Sequence, residues 1–324
     1  MSHFLIRADG GPNIGFGHIT RCRALAEALC KQGDQVSWLT TTPDVIPEDL
    51  QNAYDIRLLT PDEDEARAIL SLAREINAAA LIGDWVHSPA PLVAKLREAG
   101  LTVTLIGNMT GDADADLFVR QRLIARDEPG DALKLDGPSV LILPEAFIDI
   151  PPRTSKERAD RVLISLGGSQ SPLIDTIFER VGQLTDRAGL SLDTLRPNET
   201  GKPHTPDEVQ ERLCAADFAI LAGGTSLHEA AACRLPTLCL PIVPRQLDRA
   251  RQWETLGFGA SLVPETPHWE ETFDREFHRF VMDSGFRERA SQQMSQLVDG
   301  RGAIRVASEI KTHWPEPTLL SNPV

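Results

Sequence analysis

The stretch IRADGGPNIGFGHITRCRALAEAL, residues 6–29, decides the fold. It leaves an apolar run, passes through Gly10, Gly11, Gly15 and Gly17, and enters a segment where Ile19, Cys22, Leu25, Ala26 and Leu29 recur at helical spacing. Strand, glycine turn and helix in that order form the opening unit of a parallel α/β sheet. The glycines let backbone approach a ligand closely. A helix start offers unpaired N–H groups and partial positive charge, so a phosphate sits well there. The spacing is not G-x-G-x-x-G, which gives a dinucleotide site little support.

His18 stands directly after the last of these glycines. The positive end of a helix disfavours an imidazolium, leaving a neutral ring able to accept a proton. Beside a diphosphate, such a ring suits general-base work on a water. A capping or packing histidine fits the same position.

The same alternation continues outward. Strands are expected at 3–8, 35–40, 54–59, 79–85, 101–107, 116–121 and 140–143, with helices at 18–32, 62–77 and 91–100 between them. The proline-containing, highly charged segment 149–161 reads as a linker. A second run follows, with strands at 162–168, 190–197, 217–224 and 236–242. Helices are expected at 172–184, at 205–216 with Thr205 as N-cap, at 226–234 and at 245–256, and 268–313 is mostly helical. The expected fold class is therefore α/β, with two Rossmann-like domains facing each other across a cleft. The first covers 1–150 and carries the sugar side, the second covers 160–314 and holds the nucleotide, and 315–324 is a tail.

Composition agrees with this and excludes other classes. The chain has 324 residues, more than one hydrophobic core usually serves. Its net charge of −14 argues against a nucleic-acid surface. No apolar run approaches the ~20 residues of a membrane span, and the N-terminus has no signal-peptide architecture. Five cysteines, an odd count without zinc-ligand spacing, read as reduced thiols of a cytoplasmic protein. Asp112, Asp114 and Asp116 lack the glycine and terminal glutamate of a calcium loop and read as a solvated acidic loop. The reading requires no metal and no cofactor, and it leaves the oligomeric state open.

Strand ends supply the remaining candidates. Asp9 and Asp84 each close a strand and should face the ligand side, where either can orient His18 or bond a sugar hydroxyl. Aspartates also cap helices at such positions. Asp84 is preferred, because apolar residues surround it, and Asn108 joins the same rim. In the second half, Gly167 and Gly168 repeat the phosphate-cradle pattern. Gly223, Gly224, Thr225 and Ser226 open another helix, with Glu229 on its first turn. A carboxylate there can accept both hydroxyls of a ribose, or merely complement the helix dipole. Gln246 is placed to bond a ligand, whereas Arg245, Arg249 and Arg251 read as a solvated helix face and His228 as a surface or packing residue. No G-x-S-x-G elbow and no P-loop occurs.

Two of these stretches carry a resemblance. Residues 6–29, with their strand, acid, I-G-x-G-H and following arginine, resemble the opening of the UDP-sugar hydrolases of pseudaminic acid biosynthesis and of the spore-coat polysaccharide proteins in the same family. Those hydrolases act on UDP-2,4-diacetamido-2,4,6-trideoxy-β-L-altrose. Residues 222–246, AGGTSLHEAAACRLPTLCLPIVPRQ, are similar to that family and to the peptidoglycan N-acetylglucosaminyltransferase, which shares its GT-B fold. The resemblance implies that His18 is the base that activates water at the anomeric carbon. UDP departs with inversion, Glu229 holds the ribose, and Gly167, Gly168 and Gly223 to Ser226 cradle the diphosphate. Asp84 matches the acid of the family's D-H-Y segment, which reads DWVHS here. The family's tyrosine- and arginine-bearing stretch before the linker reads GPSVLILPEAF, and its paired aspartates are replaced by GNMTG. The nucleotide half is kept and the sugar side is rewritten. The implied activity is release of a free deoxy-amino sugar from a UDP-sugar. The rivals are an inverting glycosyltransferase that uses a UDP-sugar donor and a nucleotide-sugar-binding protein without turnover.

Overall fold

The structure is a computed structural model. It describes residues 1–11, 14–60, 62–107, 114–128, 132–167, 172–196 and 203–314. The chain divides into two compact units, Met1–Pro144 with Arg301–Val324, and Glu145–Gly300.

The first unit opens with β1 (His3–Ala8) and α1 (Gly17–Lys31), followed by β2 (Gln35–Thr40), α2 (Glu48–Ala53) and β3 (Asp55–Leu58). Next come α3 (Glu65–Glu75), β4 (Ala80–Asp84), α4 (Ala90–Glu98), β5 (Val103–Ile106), β6 (Leu117–Val119) and β7 (Leu133–Leu135). The strands make one parallel sheet in the order β3-β2-β1-β4-β5-β6-β7. Its central strands β4 and β5 are buried along their whole length because both faces of the sheet are covered there. Phe4, Ile6, Ala80 and Ile82 pack on the side of α1, while Leu5, Leu81, Val103 and Leu105 pack against residues of α3 and α4. Alternation along β4 therefore places Asp84 on the α1 side, in line with Ala80 and Ile82.

The second unit contains β8 (Arg161–Ser165), α5 (Pro172–Ala188), β9 (Ser191–Thr194), α6 (Pro206–Ala215), β10 (Phe218–Leu221) and α7 (Ser226–Ala232). It continues with β11 (Thr237–Cys239), α8 (Leu247–Thr255), β12 (Gly259–Ser261), α9 (Trp269–Met282) and α10 (Ser284–Leu297). Its parallel sheet runs β12-β11-β10-β8-β9. Thr205 caps α6 as expected. Its hydroxyl accepts from Glu208 N at 3.3 Å, and the Glu208 carboxylate accepts from Thr205 N at 3.0 Å.

Three expectations change. The last helix, α11 (Gly302–His313), belongs to the first unit, so the second ends at Gly300 rather than at 314. Ala303, Val306, Ala307 and Ile310 join the core under α1, and Lys311 Nζ donates to Gln32 O at 2.7 Å and pairs with Asp34 at 3.1 Å. An amphipathic helix shows that it needs a partner but not which one. Residues 140–143 are buried but form no strand, and the sheet edge is β7 instead. The Gln121 side chain stands in for a neighbouring strand, donating to Val140 O at 3.2 Å and accepting from Ile142 N at 2.9 Å. The expected linker is also tied down on the second unit. Arg153 donates to Leu213 O at 2.8 Å, to Cys233 O at 3.4 Å and to Ala216 O. The expected tail, 315–324, lies outside the described residues. Among the described residues no helix is long and apolar enough to cross a membrane.

Candidate active site

In the first sheet the strand order reverses between β1 and β4, and Ala8 pairs with Asp84 at their carboxyl ends. Open α/β sheets bind ligands beyond such a switch point. The chain leaves β1 through Gly15, whose φ of +90° suits glycine, and turns into α1 at Gly17. His18 thus lies in the first turn of the helix, and no side chain caps the helix start.

His18 and Asp84 meet there. His18 Nδ1 lies 2.7 Å from Asp84 Oδ1, with the imidazole 18 % exposed and the carboxylate 1 % exposed. Arg21, three residues along the same helix face, donates from Nε to Asp84 Oδ2 and from Nη2 to Oδ1, both at 3.0 Å. The adjacent Cys22 is fully buried, and burial, reinforced by the Asp84 charge, holds its thiol well above the usual range. A carboxylate at Nδ1 is met by a hydrogen on that nitrogen. In the neutral ring Nε2 then carries the lone pair, a tautomer assigned from the hydrogen-bond geometry.

Asp9, the other candidate for orienting His18, is committed elsewhere. Its carboxylate pairs with Arg7 at 2.7 Å and accepts from Thr40 Oγ1 at 3.0 Å and Thr41 N at 2.7 Å. Burial raises its carboxyl, but the Arg7 charge and the Thr41 hydrogen bond outweigh this and leave it below the usual range. Asp9 fixes the loop after β2, and of the two aspartates it is Asp84 that meets the histidine. Asn108 lies outside the described residues, but its neighbour Gly107 is close: a Cβ there would stand 3.8 Å from Asp84 Oδ1.

Of the rewritten segments, DWVHS turns its tryptophan inward. The Trp85 indole lies back over Gly83, where an added Cβ would come within 1.7 Å of the ring, and its Nε1 donates to Glu65 at 3.2 Å. Asp116 pairs with Arg97 at 2.9 Å, as does Asp114, and Asp116 also accepts from Val103 N at 2.8 Å. Asp114 is 80 % exposed, as a solvated loop predicts, whereas Asp116 is partly buried and held in place, and Asp112 lies outside the described residues. Among the described residues no group of three His, Cys, Asp or Glu is arranged to hold a metal.

In the second sheet the order reverses between β8 and β10, and the glycine turns follow these two strands. Gly167 has a φ of +81°, and Gly168 lies outside the described residues. Gly223 passes under the turn at Gln246, where a Cβ would meet Gln246 O at 2.8 Å, so only glycine fits. Gln246 uses its side-chain oxygen on Ile242 N at 2.8 Å and Val243 N at 3.3 Å, so that oxygen shapes the turn and is not left for a ligand. Arg245 and Arg251 are exposed as expected, whereas Arg249 donates to Gly223 O at 2.7 Å. Thr225 and Ser226 begin α7. Glu229 is partly buried, and no hydrogen bond reaches its carboxylate from the described residues. Burial pushes that carboxyl up to about 7. His228 is 1 % exposed, a packing position.

Arg21 received no role from sequence reasoning, although it stands inside the quoted motif. Its signal was the i, i+3 spacing from His18.

No protein-family model matches the chain. In sequence it is similar to the spore coat polysaccharide biosynthesis protein SpsG of Bacillus subtilis (strain 168), with 27 % identity over 340 aligned positions that cover 94 % of this chain and 97 % of that protein. Among solved structures, spinosyn forosaminyltransferase SpnP superposes with a TM-score of 0.71 at 14 % identity, covering 97 % of this chain and 100 % of that one. MurG of Acinetobacter baumannii gives 0.68 at 14 % identity, covering 96 % and 100 %. Spinosyn rhamnosyltransferase SpnG complexed with thymidine diphosphate gives 0.64 at 16 % identity, covering 95 % and 100 %. The chain is thus similar along nearly its whole length to a spore coat polysaccharide biosynthesis protein, and its fold is that of the GT-B glycosyltransferases.

Proposed function

We propose that this protein hydrolyses a UDP-sugar, releasing UDP and a free deoxy-amino sugar with inversion, in nonulosonic acid or surface polysaccharide biosynthesis. The observation that carries the reading is the 2.7 Å contact between His18 Nδ1 and Asp84 Oδ1 at the switch point of the first sheet. It leaves Nε2 of a partly exposed ring free to accept a proton. In the reaction, Nε2 takes a proton from water as the water oxygen bonds to the anomeric carbon. The bond from that carbon to the diphosphate oxygen breaks, and its electron pair leaves with UDP. Asp84 stabilises the imidazolium that forms, a division of labour worth ~10²–10⁴ in rate for a positioned base. The second unit supplies Gly167, Gly168 and Gly223 to Ser226 for the diphosphate and Glu229 for the ribose, as the sequence resemblance implies. The thymidine diphosphate complex of a protein with the same fold supports a nucleoside diphosphate as ligand.

A second reading is favoured by the names of the structural neighbours, which are glycosyltransferases. There the same histidine activates an acceptor hydroxyl instead of water. Incubation with UDP-sugars alone separates the two. UDP released without any acceptor supports hydrolysis. UDP released only when an acceptor is added overturns it in favour of transfer.

A further inference from the structure

Arg21 is buried, 7 % exposed. Its guanidinium spans both oxygens of Asp84, and its Nη2 stands 3.2 Å from His18 Nδ1. A two-pronged arginine fixes both the plane and the rotation of a carboxylate, which a single-point donor does not do. Oδ1 of Asp84 thereby receives Nη2 and Nδ1 together.

Two consequences follow from the chemistry of these atoms. Nη2 can only donate, so its 3.2 Å approach to Nδ1 and the 2.7 Å approach of the carboxylate ask for opposite hydrogens, and the shorter contact, to an anion, decides. A lone pair on Nδ1 would face a carboxylate oxygen at 2.7 Å, so the neutral ring keeps its hydrogen on Nδ1. Asp84 is also buried, 2 % exposed, and a buried carboxylate needs a compensating cation. Arg21 provides it, so the imidazole is not required to. Arg21 and Cys22, both from α1, are the charged side chain and the thiol that act on Asp84 of β4 at this corner. Arg7, on β1, points to the opposite face of the sheet, where it pairs with Asp9 and Glu65.

We propose that Arg21 is the positioning residue of this site: it balances and aligns the Asp84 carboxylate, so that His18 directs its Nδ1 hydrogen to Asp84 and presents Nε2 to the substrate. The kinetic part rests on the function proposed above; the structural part does not.

The test uses ¹⁵N NMR of the His18 ring in the full chain at pH 7, with the signal assigned by its loss in His18→Gln. The wild-type ring is expected to show one protonated and one bare nitrogen. In Arg21→Gln the buried carboxylate draws its compensation from the ring, and the nitrogen signals are expected to move toward those of a ring that carries hydrogen on both nitrogens. Arg21→Lys keeps the charge but loses the fork, and averaged nitrogen shifts from mixed tautomers are expected. In turnover of a UDP-sugar, both variants should lower kcat about tenfold or more with KM within about twofold, the pattern of a loss felt in the transition state. An unchanged nitrogen pattern in whichever variant folds overturns the proposal. Absence of turnover in the wild-type protein counts against the hydrolase reading alone, because the ring spectra need no substrate.

Discussion

His18 and Asp84 lie 66 residues apart in the chain and 2.7 Å apart in space, joined across the two strands between which the first sheet reverses its order. That pair turns a glycine-rich turn into a candidate base. It also sets the first prediction. Asp84→Asn keeps the shape but takes away the charge that stabilises an imidazolium, and His18→Gln removes the base. Each should lower kcat for UDP-sugar hydrolysis by ~10²–10⁴. UDP affinity, measured by calorimetry, should change less than threefold, since the residues proposed for the nucleotide belong to the other unit.

Glu229 predicts a pH dependence. Its folded value of about 7 stands above the ordinary 4.5, because burial disfavours the carboxylate. The folded state therefore binds the proton more tightly than the unfolded chain. The resulting stability is complete below the unfolded value and is lost as pH rises through about 7. Urea denaturation between pH 5 and 8 should show a decline of at most about 3 kcal/mol that Glu229→Gln removes. A ribose held by this side chain needs its charged form. UDP binding should then tighten from pH 6 to pH 8 in the wild-type protein and show no such trend in Glu229→Gln.

The thiols should react unequally. A hydrogen bond from Cys233 and the nearby Arg153 charge lower Cys214 to about 6 in spite of its partial burial, and Gln210 Nε2 donates to its sulfur at 3.1 Å. Burial raises the exposed Cys30, and Cys22, Cys233 and Cys239 are buried. Iodoacetamide at pH 7, followed by peptide mass spectrometry, should mark Cys214 before Cys30 and leave the buried three unmodified in the folded protein.

The last helix should stabilise the first unit. Ile310 is fully buried against the core under α1, and Ile310→Ala should cost 2–5 kcal/mol in chemical denaturation, within the usual range for such truncations. Gly302 faces Leu141 O, which a Cβ would approach to 2.1 Å, so Gly302→Ala should lower Tm as well. Lys311→Met, which removes the partner of Gln32 O and of the fully buried Asp34 carboxylate, should lower Tm too, because it leaves that buried charge without its cation.

Local order was legible from the chain alone. Hydrophobic spacing located β1, α1, β2 and β4 within a residue or two, and Thr205 announced the start of α6. Short edge strands were less visible: β12 contains Gly259, where a Cβ would stand 2.0 Å from Thr237 O, and glycine carries little strand signal. The apolar run 140–143 looked like a strand because burial alone gives that pattern, and only Gln121 shows what pairs with it.

What the sequence determined by itself is everything that neighbours in the chain impose: periodicity, caps, glycine turns, and therefore two α/β units with His18 at the mouth of a helix. The tertiary structure alone decided which distant groups share a site. It gave Asp84 to His18 and Asp9 to Arg7, drew Arg21 into the first pair, and returned α11 to the first unit. The physical reason is that buried charges and apolar faces are satisfied by whatever the sheet order brings beside them. Sheet order is set by the packing of the whole chain and leaves no mark at any one position.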